Sequence, residues 1–327
     1  MITKSPTQHL DRLIWSLIAA VATIVFVSPL LSHFSVKWPT FAVPALASSV
    51  LIGVARFYCH WRPDPRLAAA LENTAQLIAF AAVGAPLSYL AAASNLPLQD
   101  KLLDAADRAF GFDWQALLDC MNASPLIHAV LRPIYLSLTL QMAIAVLCLA
   151  FGGLLLRLRI YLLSFILTTL IIIAISALLP AAGAWPYYAP TTANSSEVVV
   201  SSSWPVFYGL RDGSFRTLMA LGAEGIISFP SLHAASAMIL IIALWPIAFL
   251  RWAILTLNLA MLAATPIDGS HYLSDVLAGI ALAVLCFGVA TGIATMPSGY
   301  RTRRFRPSTR GSCEEATPRL QAEIRRL

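Results

Sequence analysis

Eight apolar runs, parted by short polar stretches, set the pattern of the chain. A membrane-crossing helix needs about 20 mostly apolar residues. The pattern predicts spans over roughly 13–31, 40–58, 69–93, 133–156, 160–180, 231–250, 252–267 and 271–296. The seventh is short and ends at Pro266. Two stretches depart from this rhythm. Residues 96–130 set Asp100, Asp104, Asp107, Asp113 and Asp119 among Leu, Phe and Trp. They read as amphipathic helices on the membrane interface, or as a lid over the bundle. Residues 181–229 form the longest loop, and its Trp185, Tyr187, Tyr188, Trp204, Phe207 and Tyr208 suit a membrane–water boundary. The expected organisation is N-terminal spans over 1–95, interfacial helices over 96–130, a core of spans over 131–296, and an Arg-rich, disordered cytoplasmic tail over 297–327. The fold class expected is all-α: a polytopic helical bundle.

Composition agrees. The chain is 58% hydrophobic and 12% charged, against about 25% charged in a soluble domain. The net charge of +6 is explained by topology rather than by nucleic acid. With both termini inside, Lys37, Lys101, Arg108, Arg132, Arg211 and Arg216 are the only outer cations, six of the 22 Lys and Arg. That asymmetry is the positive-inside bias. It predicts a multi-pass protein with both termini cytoplasmic and the site on the outer face, and the absence of organelle signals points to a bacterial inner membrane. Cys59, Cys120, Cys148, Cys286 and Cys313 form no CxxC pair, and that topology leaves only Cys120 outside cytoplasm and bilayer, so no disulfide framework is expected.

Two strings carry chemistry. Ser228-Phe229-Pro230-Ser231-Leu232-His233 opens the sixth span, and Asp268-Gly269-Ser270-His271-Tyr272-Leu273-Ser274-Asp275 opens the eighth. His271 and Asp275 are spaced i, i+4 and share a helix face. A carboxylate there can fix the imidazole tautomer and make the other ring nitrogen a better nucleophile. Span seven returns the chain, so spans six and eight begin on the same face, and both histidines lie at one depth. Helix starts offer unpaired N–H groups and a positive dipole end, which suit a phosphate. Ser231 adds a hydroxyl. Such a set can run a phosphohistidine route, with His271 as nucleophile, Asp275 orienting it and His233 as acid. The same residue types could also bind iron or zinc. His128 reads as an interfacial residue.

At these residues the chain resembles the type 2 phosphatidic acid phosphatase superfamily, especially the branch containing fungal inositol phosphorylceramide synthase. That family carries a Pro-Ser-Gly-His-like block and, about 40 residues on, a His-x-x-x-Asp block, each at a helix start. Pro230-Ser231-Leu232-His233 and His271-Tyr272-Leu273-Ser274-Asp275 match in order and spacing. The resemblance implies a six-helix-type lipid phosphatase core, no metal, no cofactor, and the three roles just given, with Ser231 on the phosphate. There are departures. Leu232 stands where glycine is usual, as in the synthase branch. The first family block is not cleanly present, since Ala109 follows Lys101 and Arg108, and Thr265 replaces an expected Arg. Arg211, on the outer loop, is the preferred substitute cation because Arg matches phosphate geometry. Arg132-Pro133 and Arg216 are weaker candidates, and Asp268 and Tyr272 are pocket candidates.

The expected partner is a lipid phosphate in the bilayer. Three activities remain open: hydrolysis of a lipid phosphate or diphosphate, transfer of a headgroup such as inositol phosphate to a lipid hydroxyl, and non-enzymatic transport or phosphate-lipid binding. Spans six to eight lack the paired broken helices of transporters.

Overall fold

The computed structural model describes residues 6–188 and 203–296; the basic tail expected over 297–327 lies outside the described residues. In chain order the elements are α1 (Pro6–Leu31), β1 (Ser35–Val36), α2 (Pro39–His60), α3 (Pro65–Ala92), α4 (Asp100–Ala109), α5 (Trp114–Ala123), α6 (Pro125–Leu136), α7 (Leu138–Phe151), α8 (Leu155–Leu178), α9 (Ala184–Tyr188), α10 (Ser203–Asp212), β2 (Thr217–Leu218), α11 (Leu232–Leu244), α12 (Arg251–Asp268) and α13 (Leu273–Thr295). The fold is an all-α membrane bundle. A bilayer offers no water to the backbone, so spanning segments must satisfy their own polar groups, and helices do so.

Each of the eight expected spans coincides with a helix or a helix pair. By length and hydropathy, α1, α2, α3, α8 and α13 each suffice to cross a membrane, and α6 with α7 adds a sixth span bent by 49°. The break falls at Ser137, whose N–H and hydroxyl both return to Ile134 O, at 3.2 and 2.6 Å, and tighten the last turn of α6. Of the eight or so expected spans, α11 and α12 fall short of that length-and-hydropathy test. With 13 residues, α11 is about 20 Å long. Its sequence starts late because Ser228–Ser231 is spent on the site, and ends early because Arg157 of α8 takes its last carbonyls, donating to Ile242 O at 2.6 Å and Ala243 O at 2.8 Å. That clamp fixes the depth of α11 from its far end. Nearby, Arg159 of α8 donates to both carboxylate oxygens of Asp11 on α1 at 2.9 Å, so neither charge is buried alone.

The ends of α3, α8 and α12 meet the starts of α11 and α13 on one face, as alternating directions require. The chain that enters α11 pairs with the α1–α2 connection as a two-stranded parallel ribbon, β1 against β2. On the same face α4, α5 and α6 lie over the ends of α12 and α13. Asp64 and Asp113 cap α3 and α5 by accepting two N–H bonds each. Where α11 crosses α13, a Cβ on Gly279 would collide with the Ser231 carbonyl; a small residue is what lets the two backbones approach. Cys120, Cys148 and Cys286 are free thiols.

Candidate active site

The site assembles where α11 and α13 begin. His271 precedes α13, and its Nδ1 lies 3.1 Å from Asp275 Oδ2. The same oxygen accepts the Ser228 hydroxyl at 2.9 Å and the Tyr272 N–H at 3.1 Å. Asp275 is fully buried, and three donors on one oxygen offset what burial of a carboxylate costs. With Nδ1–H donated to Asp275, the lone pair of His271 sits on Nε2. The Ser231 N–H donates to Asp275 O at 3.0 Å, which ties the start of α11 to α13.

His233 stands one residue into α11. Tyr135 of α6 stacks on its ring, centroids 4.2 Å apart and planes 15° apart, and the phenol oxygen is 3.2 Å from His233 Nδ1. This arrangement leaves Nε2 of His233 for other work. The His271 ring and Tyr135, the partner of His233, meet at Gly269. A Cβ built there would stand 2.5 Å from His271 Cδ2 and 2.8 Å from the Tyr135 hydroxyl, so only glycine leaves room for both rings.

A cavity of about 980 Å³ opens on these groups. Its polar end is lined by His233, His271, Arg132, Asp268 and Ser270, and its apolar body runs between α3, α7 and α8 past Leu77, Phe80, Val146, Phe165 and Ile172. Trp204 also lines it and stacks on Trp185. Trp185 meets Trp114 edge-on, and Trp114 stacks on Tyr188 at 5.5 Å. Tyr188 donates to Asp104, and burial first, then that bond, pushes its hydroxyl up to about 12.

Of the residues expected from sequence, His271, His233 and Asp268 line one cavity, and Asp275 stands buried behind His271. Ser231 does not line the cavity. It is fully buried and caps α11, accepting the Ala234 N–H at 3.3 Å. Arg211 also lies elsewhere: it donates to Leu96 O at 2.5 Å and covers the Phe207 ring, and burial lowers its pKa. The neighbouring Asp212 accepts the Ser214 N–H at 2.8 Å. Tyr272 is buried behind the site, its hydroxyl 3.2 Å from Asp100 Oδ1.

The N–H groups expected to form an anion cradle at α13 are occupied. Asp107 accepts from Leu273 N at 2.6 Å and Ser274 N at 2.8 Å. Asp100 likewise accepts from the Ala182 and Gly183 N–H groups. At α11 the Ser231 hydroxyl takes only Ala234, so the N–H groups of Leu232 and His233, both lining the cavity, are not used by that cap.

Sequence reasoning missed α6. His128, Arg132 and Tyr135 recur at i, i+4 and i+7, the spacing of one helix face. His128, expected at the interface, is buried and lies 3.1 Å from Asp268; Arg132 lines the cavity; Tyr135 holds His233. The spacing was visible, but the partners are 140 and 98 positions away.

Alternating spans with a histidine–carboxylate site at two helix starts, opening on an apolar chamber, define a polytopic membrane protein with a buried histidine site. The chain belongs to the PAP2 superfamily, whose family model matches residues 101–289. The match takes in α4 to most of α13, and with them the α6 stripe and both motifs. No curated protein and no solved structure matches the chain.

Proposed function

We propose that this protein is an integral-membrane enzyme that removes or transfers the phosphoryl group of a lipid phosphate through a phosphohistidine on His271. The observation that carries the reading is His271, held by the triply bonded Asp275, in one chamber with His233 and Arg132. Nε2 of His271 attacks phosphorus, the bond to the lipid oxygen breaks, and protonated His233 gives its proton to that oxygen. Water or another hydroxyl then takes the phosphoryl group and the N–P bond breaks. Arg132 and the first N–H groups of α11 meet the phosphate charge. We assign that task to Arg132 rather than to Arg211 or Ser231, since neither of those lines the chamber. The apolar body suits a substrate with a hydrocarbon chain.

A second reading, transfer of a phosphorylated headgroup such as inositol phosphate to a lipid hydroxyl, is favoured by Leu232, which lines the chamber where glycine is usual in the phosphatases. Residues 131–296 carry the site and 96–130 roof it. The Lys and Arg asymmetry supports an outer-face site with both termini cytoplasmic.

The test is phosphate release from a panel of short-chain lipid phosphates by the purified protein in detergent, with EDTA present. Release that persists in EDTA and disappears in folded His271→Ala is expected. Activity abolished by EDTA and restored by zinc, or wild-type turnover in His271→Ala, would overturn the reading.

A further inference from the structure

The chamber holds a second histidine–carboxylate pair that the scheme above leaves idle. His128 Nε2 of α6 lies 3.1 Å from Asp268 Oδ1, and the Asp268 side chain is 1% exposed. Asp268 ends α12, lines the chamber and adjoins Gly269, against which the His271 ring and the Tyr135 hydroxyl lie. Arg132 and Tyr135 of α6 stand within electrostatic reach of it.

Of the other buried aspartates of this face, Asp275 is already committed to His271 through Oδ2, with its Oδ1 buried and unpartnered, and two are spent on structure. Asp107 accepts with both oxygens from the start of α13, and Asp100 with both from residues 182 and 183. Asp268 differs: Oδ1 takes His128, while Oδ2 is buried and has no hydrogen-bond partner. A buried carboxylate oxygen without a donor is costly, and natural proteins keep such groups where a ligand or water completes them. The missing partner is an O–H or N–H donor arriving in the chamber.

We propose that Asp268, oriented by His128, receives the hydroxyl of the acceptor that takes the phosphoryl group from His271. The proposal rests on the phosphohistidine reading. The acceptor, water or an alcohol, donates its O–H to Oδ2. Its oxygen attacks phosphorus, and the N–P bond breaks with its electron pair returning to Nε2 of His271. The acceptor's proton passes to Asp268 and from there to solvent. His233 is then needed only to protonate the leaving lipid oxygen, and it recovers its proton from solvent. His128 is a positioning residue, since it acts through the carboxylate it holds.

The experiment follows labelled phosphoenzyme in the full-length protein in detergent micelles, using dioctanoyl phosphatidate carrying ³²P and a rapid alkaline quench. Asp268→Asn is expected to form phosphoenzyme at the wild-type rate and to lose it about 100-fold to 10,000-fold more slowly, the usual share of a general base, so label accumulates. His128→Ala is expected to slow the same step by about tenfold, within the range reported for loss of an orienting partner, and supplies the test should Asp268→Asn not purify folded. Decay at the wild-type rate in both variants would overturn the proposal and leave His233 to handle both protons. Formation and decay slowed alike would also overturn it, by making the pair merely structural. Absence of label in the wild type and in Asp268→Asn, both turning over substrate, would instead refute the phosphohistidine reading itself.

Discussion

Substituting Gly279 by alanine tests whether the spacing of α11 and α13 sets the site. The added methyl would run into the Ser231 carbonyl and stand 3.3 Å from Ala235 N. Backbone cannot swing aside as a flexible side chain does, so the helices must separate, by on the order of 1 Å for a group of this size. Overpacking of that kind costs about 1–3 kcal/mol. The same separation stretches the Ser231 N–H bond to Asp275 O and the Ser228 bond to Asp275 Oδ2, now 3.0 and 2.9 Å. Misplacement by about 1 Å costs roughly 100-fold in rate. Gly279→Ala should therefore lower phosphate release about 100-fold and lower the melting temperature in detergent. Gly292→Ala, on the same helix with nothing within 4 Å, should leave both unchanged. Wild-type turnover in Gly279→Ala, or an equal loss in Gly292→Ala, would refute the reasoning.

Other outcomes follow from single contacts. Tyr135→Phe keeps the ring on His233 but removes the hydroxyl bond, worth about 0.5–1.5 kcal/mol, so kcat should fall by up to about tenfold with the melt unchanged. Arg132→Ala should raise KM well beyond any change in Arg211→Ala; the reverse order in a substrate titration would return the phosphate to the outer loop. Asp107→Ala leaves two N–H groups of α13 without their cap and should cost about 0.5–2 kcal/mol, read as a lower melting temperature.

The parts of the molecule written in local spacing could be read from the chain. His271 and Asp275 are one helical turn apart, and apolar length gave the spans. The α6 stripe had the same local regularity, but its meaning depends on Asp268 and His233, which only the fold brings near. Arg211 was preferred for its residue type and its outer position, and the packing of α10 turns it toward Leu96 instead. The start of α13 looked open to an anion because Asp107, 166 positions upstream, gave no sign of reaching it. Long-range carboxylates that seal helix ends have no periodicity of their own.

The small parallel ribbon has a consequence for how the chain can be divided. Ser35 and Lys37 donate to Arg216 O and Leu218 O, Arg216 covers the Phe34 ring at 5.0 Å, and the Ala220 N–H reaches Thr40 Oγ1 at 3.0 Å. The first two spans lie outside the region matched by the family, yet they are stitched to the stretch that leads into the first histidine motif. A fragment trimmed to the shared region would lose the brace that steadies that approach.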